Sequence, residues 1–273
     1  MFSPALAIEL WRWREAGHMA RLWWRDDDAT EPTPQLDQLL AVAQETLVPL
    51  ALAVVPRGDM PALAARLQGA AGLTVIQHGV DHQNRRLGPV AGEFPHGLGE
   101  EALSDAVLCG WDRMRGLPLV MSVYAPPWND IHPKLGAVLA HCGYLGFSAF
   151  GAIGSAGGLP RVDAHLDLLR WRGRPRFRGE GRFLASLAAE MRRRRQAGLW
   201  DAPIGLLTHH LAHDEAAWRF LRAFLKWSLS RRELAWVALP TALREAVSLA
   251  PQPPPPATAV LADAPGFPYA RAS

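Results

Sequence analysis

The segment Leu22-Trp23-Trp24-Arg25-Asp26-Asp27-Asp28 decides how this chain is read. Three large apolar residues begin it and three adjacent carboxylates end it. A short apolar run followed by a helix start at Thr33-Pro34 reads as a buried strand. Carboxylates in series repel one another unless a cation or arginines neutralise them. One reading of the triplet is therefore a solvated turn or a helix-cap cluster, and the other is a charged site at the end of a core strand.

The same arrangement recurs along the chain. A strand expected over 73–77 runs into His78-Gly79-Val80-Asp81-His82. One over 119–124 ends at Ala125-Pro126-Pro127-Trp128-Asn129, and one over 203–207 at Thr208-His209-His210. Further strands are expected over 49–55, 144–150 and 234–237, with an extended piece near Val162. Helical spacing falls between them, over 5–16, from Thr33-Pro34 through Val42, and over 61–68, 99–115, 134–142, 180–197, 214–229 and 241–249. About seven strands alternating with helices imply a parallel β/α architecture, and 273 residues suit one barrel. In such barrels the C-terminal strand ends form one face, and that face carries the active site. Residues 1–250 are read as one domain and the Pro-rich 251–273 as a loose tail.

Composition narrows the class. Hydrophobic residues make up 49% and charged residues 20%, enough for a core and too ordered for a disordered chain. No apolar run approaches the roughly 18 residues of a membrane span. The N-terminus lacks the basic-then-apolar order of a secretory signal, and two cysteines, Cys109 and Cys142, make no disulfide framework and read as small core residues. A cytoplasmic protein without membrane or nucleic-acid partners is expected. The net charge is only +3, and the one dense cluster, 192–195, reads as a solvated helix face.

Two histidines four apart, His78 and His82, would face the same way on a helical turn, as metal ligation requires. Joined to the acid cluster they supply an Asp-His-His set that leaves a coordination position open, the pattern of a catalytic site. His209, directly after a buried strand, is a candidate proton donor. His213 and Asp214 read as the start of the following helix, and His210 has no assigned role. The prolines of 125–129 can hold a backbone N–H towards a substrate. His165 and Asp167 with Trp171 form a weaker set, and core packing is the first reading of Trp23, Trp24 and Trp171.

The ordered set Trp24-Arg25-Asp26-Asp27-Asp28, His78 to His82, Ala125-Pro126-Pro127-Trp128 and Leu207-Thr208-His209 resembles the polysaccharide deacetylase family, the NodB-homology group of carbohydrate esterases. The likeness spans residues 22 to about 237. It implies a distorted (β/α)7-8 barrel, a divalent metal, commonly zinc, and hydrolysis of an N-acetyl or related amide on a carbohydrate or small acylated amine. Aligned so, Asp27 is the base and Asp28 the metal ligand with His78 and His82; the alternative register is Asp26 and Asp27. His209 is the acid, with Asp167 or Asp214 to orient it. Pro127, Trp128 and Arg25 lie on the substrate side, Arg25 also holding the base where the family's turn arginine is replaced by Ala125. Gly79 stands where the family has Ser or Thr. Rival readings are an amidohydrolase of this fold acting on a small amide or ureide, and a non-catalytic carbohydrate-binding relative.

Overall fold

Apolar runs that follow one another with helical crossovers pair in parallel, because a parallel neighbour can be reached only by a long return connection. The computed structural model describes residues 3–153 and 158–248, so the expected Pro-rich tail lies outside the described residues. In chain order the elements are α1 (Pro4–Glu15), β1 (Ala20–Ala29), α2 (Pro34–Thr46), β2 (Leu50–Val54), α3 (Met60–Leu67), β3 (Leu73–His78), α4 (Glu100–Met114), β4 (Val120–Ala125) and α5 (Leu135–His141). There follow β5 (Gly146–Phe147), β6 (Ala164–Asp167), β7 (Leu169–Arg170), β8 (Arg176–Phe177), α6 (Glu180–Ala197), β9 (Ile204–Thr208), α7 (Glu215–Leu229), β10 (Leu234–Trp236) and α8 (Leu239–Ser248).

The main sheet has the order β5-β4-β3-β2-β1-β9-β6, with β10 paired to the first residues of β1. All its ladders are parallel. The sheet curls until its edges meet. Parallel bridges Phe147–Arg161 and Phe150–Ala164 join the two sides, giving a distorted β/α barrel. Alternation along β1 places Trp23, Arg25 and Asp27 on one face and Trp24 and Asp26 on the other. Trp23 packs inside with Ala51, Ala53, Ile76 and Val123, and α8 contributes Leu239, Ala242 and Leu243 to the same cluster. The larger cluster lies between the sheet and α1, α2, α6 and α7. Both strand tryptophans are core residues, as expected. The Trp23 indole donates to the Asp163 carbonyl (3.2 Å) and the Trp24 indole to Thr208 Oγ1 (2.8 Å).

Several expectations are corrected. β1 runs on through the acids to Ala29, with Asp26 bonded to Thr208 and His210 and Asp27 paired to Arg25. The strand expected over 144–150 shrinks to Gly146–Phe147, and the segment after it makes the closing bridges instead. The piece near Val162 becomes β6, two residues later. The antiparallel hairpin β7–β8 has no counterpart in the sequence reading, since its arginine-rich alternation carries no apolar signal. The cluster 192–195 is a solvated face only in part, at Arg192 and Arg193. Arg194 is fully buried and donates to the Ala202 and Pro203 carbonyls and to Glu190 (2.8, 2.6 and 2.6 Å), while Arg192 and Arg195 close on buried Glu9 of α1. Cys109 is exposed and Cys142 half-buried, so neither is a core residue. No described helix is long and apolar enough to cross a membrane.

Candidate active site

Successive side chains of a strand point to opposite faces, so three adjacent aspartates cannot share one site on regular backbone. Asp26 faces outward and is fully buried. Its carboxylate accepts from Thr208 Oγ1 (2.5 Å) and from the His210 backbone N–H (3.1 Å), and it meets His210 Nδ1 at 2.5 Å. Burial alone would raise the Asp26 carboxyl and lower His210; their mutual attraction outweighs burial in both, lowering the first and raising the second. Asp27 faces inward. Arg25 meets it twice, Nε at 2.9 Å and a terminal nitrogen at 3.0 Å. The ladder to β2 then breaks between Asp26 and Ala29, and Asp28 takes a left-handed φ of 76°. This bulge turns Asp28 to the same side as Asp27, and both line one cavity of about 450 Å³.

The two histidines do not sit on a helical turn. His78 ends β3, and residues 79–82 form a loop in which Gly79 (φ 65°) and His82 (φ 55°) are both left-handed. A Cβ on Gly79 would lie 2.4 Å from Pro127 Cγ and 2.6 Å from a Glu93 oxygen, so this position admits no side chain. Glu93 shapes the loop. Its buried carboxylate accepts from the amides of Val80 (2.9 Å), Asp81 (2.9 Å) and His82 (2.7 Å), and from the Tyr124 hydroxyl (3.2 Å). Sequence reasoning missed Glu93; its signal is that it is the single carboxylate between Asp81 and Glu100.

The result is a convergence. Asp28 Oδ1 lies 3.2 Å from both His78 Nε2 and His82 Nε2, and one ligand atom from each residue falls within 4.8 Å of the others. His78 Nδ1 is 3.0 Å from the Ala125 carbonyl, which can only accept, so the ring proton sits there and Nε2 presents a lone pair. Asp28 Oδ1 is buried without a hydrogen-bond partner. Lone pairs so placed repel unless a positive charge lies between them, and the Asp-His-His donor set suits a divalent cation such as zinc. The same convergence acts on the titrations. Burial would raise the Asp28 carboxyl, and positive charge on the two rings, the alternative to a cation between them, would hold it far below the carboxylate range. Burial would lower His78, and the charges of Asp27 and Asp28 raise it.

Around this point the other candidates are distributed unevenly. The Pro127–Asn129 turn places Trp128 (φ 55°) over His82, with ring centroids 4.3 Å apart and 41% of Trp128 exposed. Pro127 is buried. Arg25 has no exposed surface; besides Asp27 it donates to Ser148 Oγ (2.7 Å) and Asn129 Oδ1 (2.7 Å). Of the three residues expected on the substrate side, only Trp128 offers a surface. His209 lines the same cavity with its Nε2 3.9 Å from Asp27 Oδ2, and its Nδ1 is buried without a partner. Trp171, expected in the core, is 47% exposed and sets its ring edge against His209 at 4.6 Å. Asp167 lines the same cavity; it accepts from the Leu169 amide (2.8 Å) and the Trp171 indole (2.7 Å), and burial raises its pKa. Asp214 is spent as the cap of α7, accepting from Ala217 (2.7 Å) and Phe177 (3.1 Å) amides, and His213 packs against Trp218. His165 is buried and lines a neighbouring concavity rather than this one. The sequence missed Phe150, which closes one side.

No protein-family model matches the sequence, and no curated protein matches it. Solved structures do. A Mycobacterium smegmatis protein assigned to the polysaccharide deacetylases superposes with a TM-score of 0.59 at 15% identity, covering 85% of this chain and 91% of the other. A family 4 carbohydrate esterase from Streptomyces lividans in complex with acetate gives 0.51 at 15% identity, covering 80% and 92%. The chitin deacetylase of the fungal pathogen Colletotrichum lindemuthianum gives 0.51 at 14% identity, covering 83% and 88%. The chain therefore has the fold of these deacetylases.

Proposed function

We propose that the protein is a metal-dependent hydrolase that removes an acyl group from an amine, on an amino sugar, a polysaccharide or a small acylated amine. The observation that carries this reading is the meeting of Asp28, His78 and His82 on one point, with Asp27 and His209 beside it in a single cavity. The shared fold supports it, since the solved relatives are described as deacetylases and esterases of carbohydrates.

Asp28, His78 and His82 hold the cation, for which zinc is the proposed identity. When bound, a divalent ion acts as a Lewis acid, polarising a carbonyl and lowering the pKa of water. Asp27 takes the proton of the attacking water. Arg25, fully buried and anchored on Ser148 and Asn129, pairs with Asp27 and keeps it aimed inward. The Trp128 backbone N–H, held by the two preceding prolines, stabilises the charge developing on the carbonyl oxygen. His209 protonates the leaving nitrogen, because an amine departs poorly without a proton. The C–O bond forms first, giving a tetrahedral oxyanion; the C–N bond then breaks as the nitrogen is protonated, and a carboxylate and an amine are released. Trp128 and Trp171 form the exposed walls against which a sugar ring can stack.

Acetate release from chito-oligosaccharides, acetylated xylan and small N-acetyl compounds tests this directly. Turnover is expected to vanish on chelation and return with zinc. Asp27→Asn and His209→Ala should keep the metal and lose about 10²–10⁴-fold in rate. Full activity in Asp28→Ala or His82→Ala would reject the metal role.

A further inference from the structure

After β6 the chain reads Leu169-Arg170-Trp171-Arg172-Gly173-Arg174-Pro175-Arg176-Phe177-Arg178, and Arg182 follows in the first turn of α6. The register of the β7–β8 hairpin sets Arg170 directly opposite Arg176. Like charges in a cross-strand pair repel each other. Several arginines elsewhere are matched, Arg161 with Asp163, Arg194 with Glu190 and Arg195 with Glu9, while Arg57 and Arg113, which among the described residues also form no ion pair, stand singly. Among the described residues the six arginines 170, 172, 174, 176, 178 and 182 form no ion pair, and Arg170 Nε is buried without a hydrogen-bond partner.

Two concavities flank the hairpin. One of about 780 Å³ is lined by Arg170, Arg172, Arg178 and Arg182; the other, of about 700 Å³, by Arg170, Arg172, Arg174 and Arg176. The acids bordering them are already engaged. Glu190 is held by Arg193 and Arg194, Asp214 caps α7, and Asp167 is bonded to the Leu169 amide and Trp171 indole. The larger concavity shares Phe150, Asp167 and Trp171 with the catalytic cavity, so the two adjoin.

We propose that this hairpin is an anion subsite, and that the substrate carries a carboxylate or phosphate beside its acylated amine. Guanidinium groups bind both anions through paired N–H donors. A neutral sugar would leave the four guanidinium groups that line the larger concavity without an anion beside them. The proposal rests on the deacylase reading, and its test keeps the two separable.

The metal-loaded protein and the exposed-site variant R172Q/R182Q are assayed with three probes: neutral chitotetraose, a hyaluronan tetrasaccharide bearing carboxylates, and N-acetylglucosamine 1-phosphate. Binding is measured by calorimetry and hydrolysis by amine release. At least one acidic probe is expected to show a KM tenfold or more below that of chitotetraose, with the advantage shrinking as salt rises. The variant should raise that KM about tenfold or more and leave chitotetraose kinetics unchanged. The two acidic probes distinguish carboxylate from phosphate. Equal use of neutral and acidic probes, unaltered by R172Q/R182Q, overturns the subsite and leaves the deacylase reading standing. Acidic probes that bind the wild type and bind R172Q/R182Q weakly support the subsite; if neither they nor chitotetraose are hydrolysed, the result counts against the deacylase reading. Failure of both acidic probes to bind overturns the subsite.

Discussion

A carboxylate that accepts from three successive amides leaves the backbone between them little freedom to turn, and Glu93 does this for Val80, Asp81 and His82. His82 stands in a left-handed conformation that a residue with a side chain seldom adopts. The Glu93 bonds over-determine that conformation, and so they aim the ring at Asp28. Glu93→Gln keeps the size but replaces one accepting oxygen by an amide donor that faces donors. It is expected to stay folded and to lose about 10–100-fold in zinc affinity, the usual effect of removing a group that orients a ligand. Competition against a fluorescent chelator measures it, and wild-type affinity in Glu93→Gln would show that the loop holds itself. The same residue shows what the sequence hid. The spacing of His78 and His82 was legible because both belong to one short motif. Their support comes from a carboxylate eleven residues away inside a Gly- and Pro-rich stretch, where no periodicity marks it.

At the scale of elements, β1 and α6 carry the two departures from simple patterning. The strand's charged end was legible as an unusual carboxylate series, but which aspartates meet the histidines was not. It depends on one bulge with φ of 76° at Asp28, and no residue type announces it. Helix α6 inserts Arg194 between itself and the sheet, where it lies 3.0 Å from His165 Nε2. His165 Nδ1 accepts from the Gly205 amide at 3.1 Å. Burial, reinforced by the Arg194 charge, pushes the His165 pKa down to about 3. The folded chain therefore leaves this ring neutral while the unfolded chain protonates it near 6.5. Stability must fall as the pH drops below about 6.5, by a slope approaching 1.4 kcal/mol per pH unit from this residue, until about pH 3. Urea denaturation between pH 6 and 4 should show a shallower acid limb in His165→Gln by about that slope. Equal slopes in the two proteins would mean that His165 is protonated in the fold.

Over the whole molecule, the alternation of apolar runs with amphipathic stretches was enough to indicate a parallel β/α barrel, because each strand signal is local. The closure was not legible. It is made by short bridges between residues 147–150 and 161–164 that depend on the curl of the complete sheet. The hairpin of arginines was equally silent, since a polar alternation reads as a loop until a cavity is seen beside it. What the barrel achieves is to collect residues from β1, β3, the turn after β4 and the end of β9 onto one face, and the account depends on that gathering. Anomalous scattering at the zinc edge, from a crystal grown with the metal, tests it most directly. One peak bound by Asp28, His78 Nε2 and His82 Nε2 is the predicted result. A peak at Asp26 and His210, or no peak at that face with zinc in excess, would contradict the account.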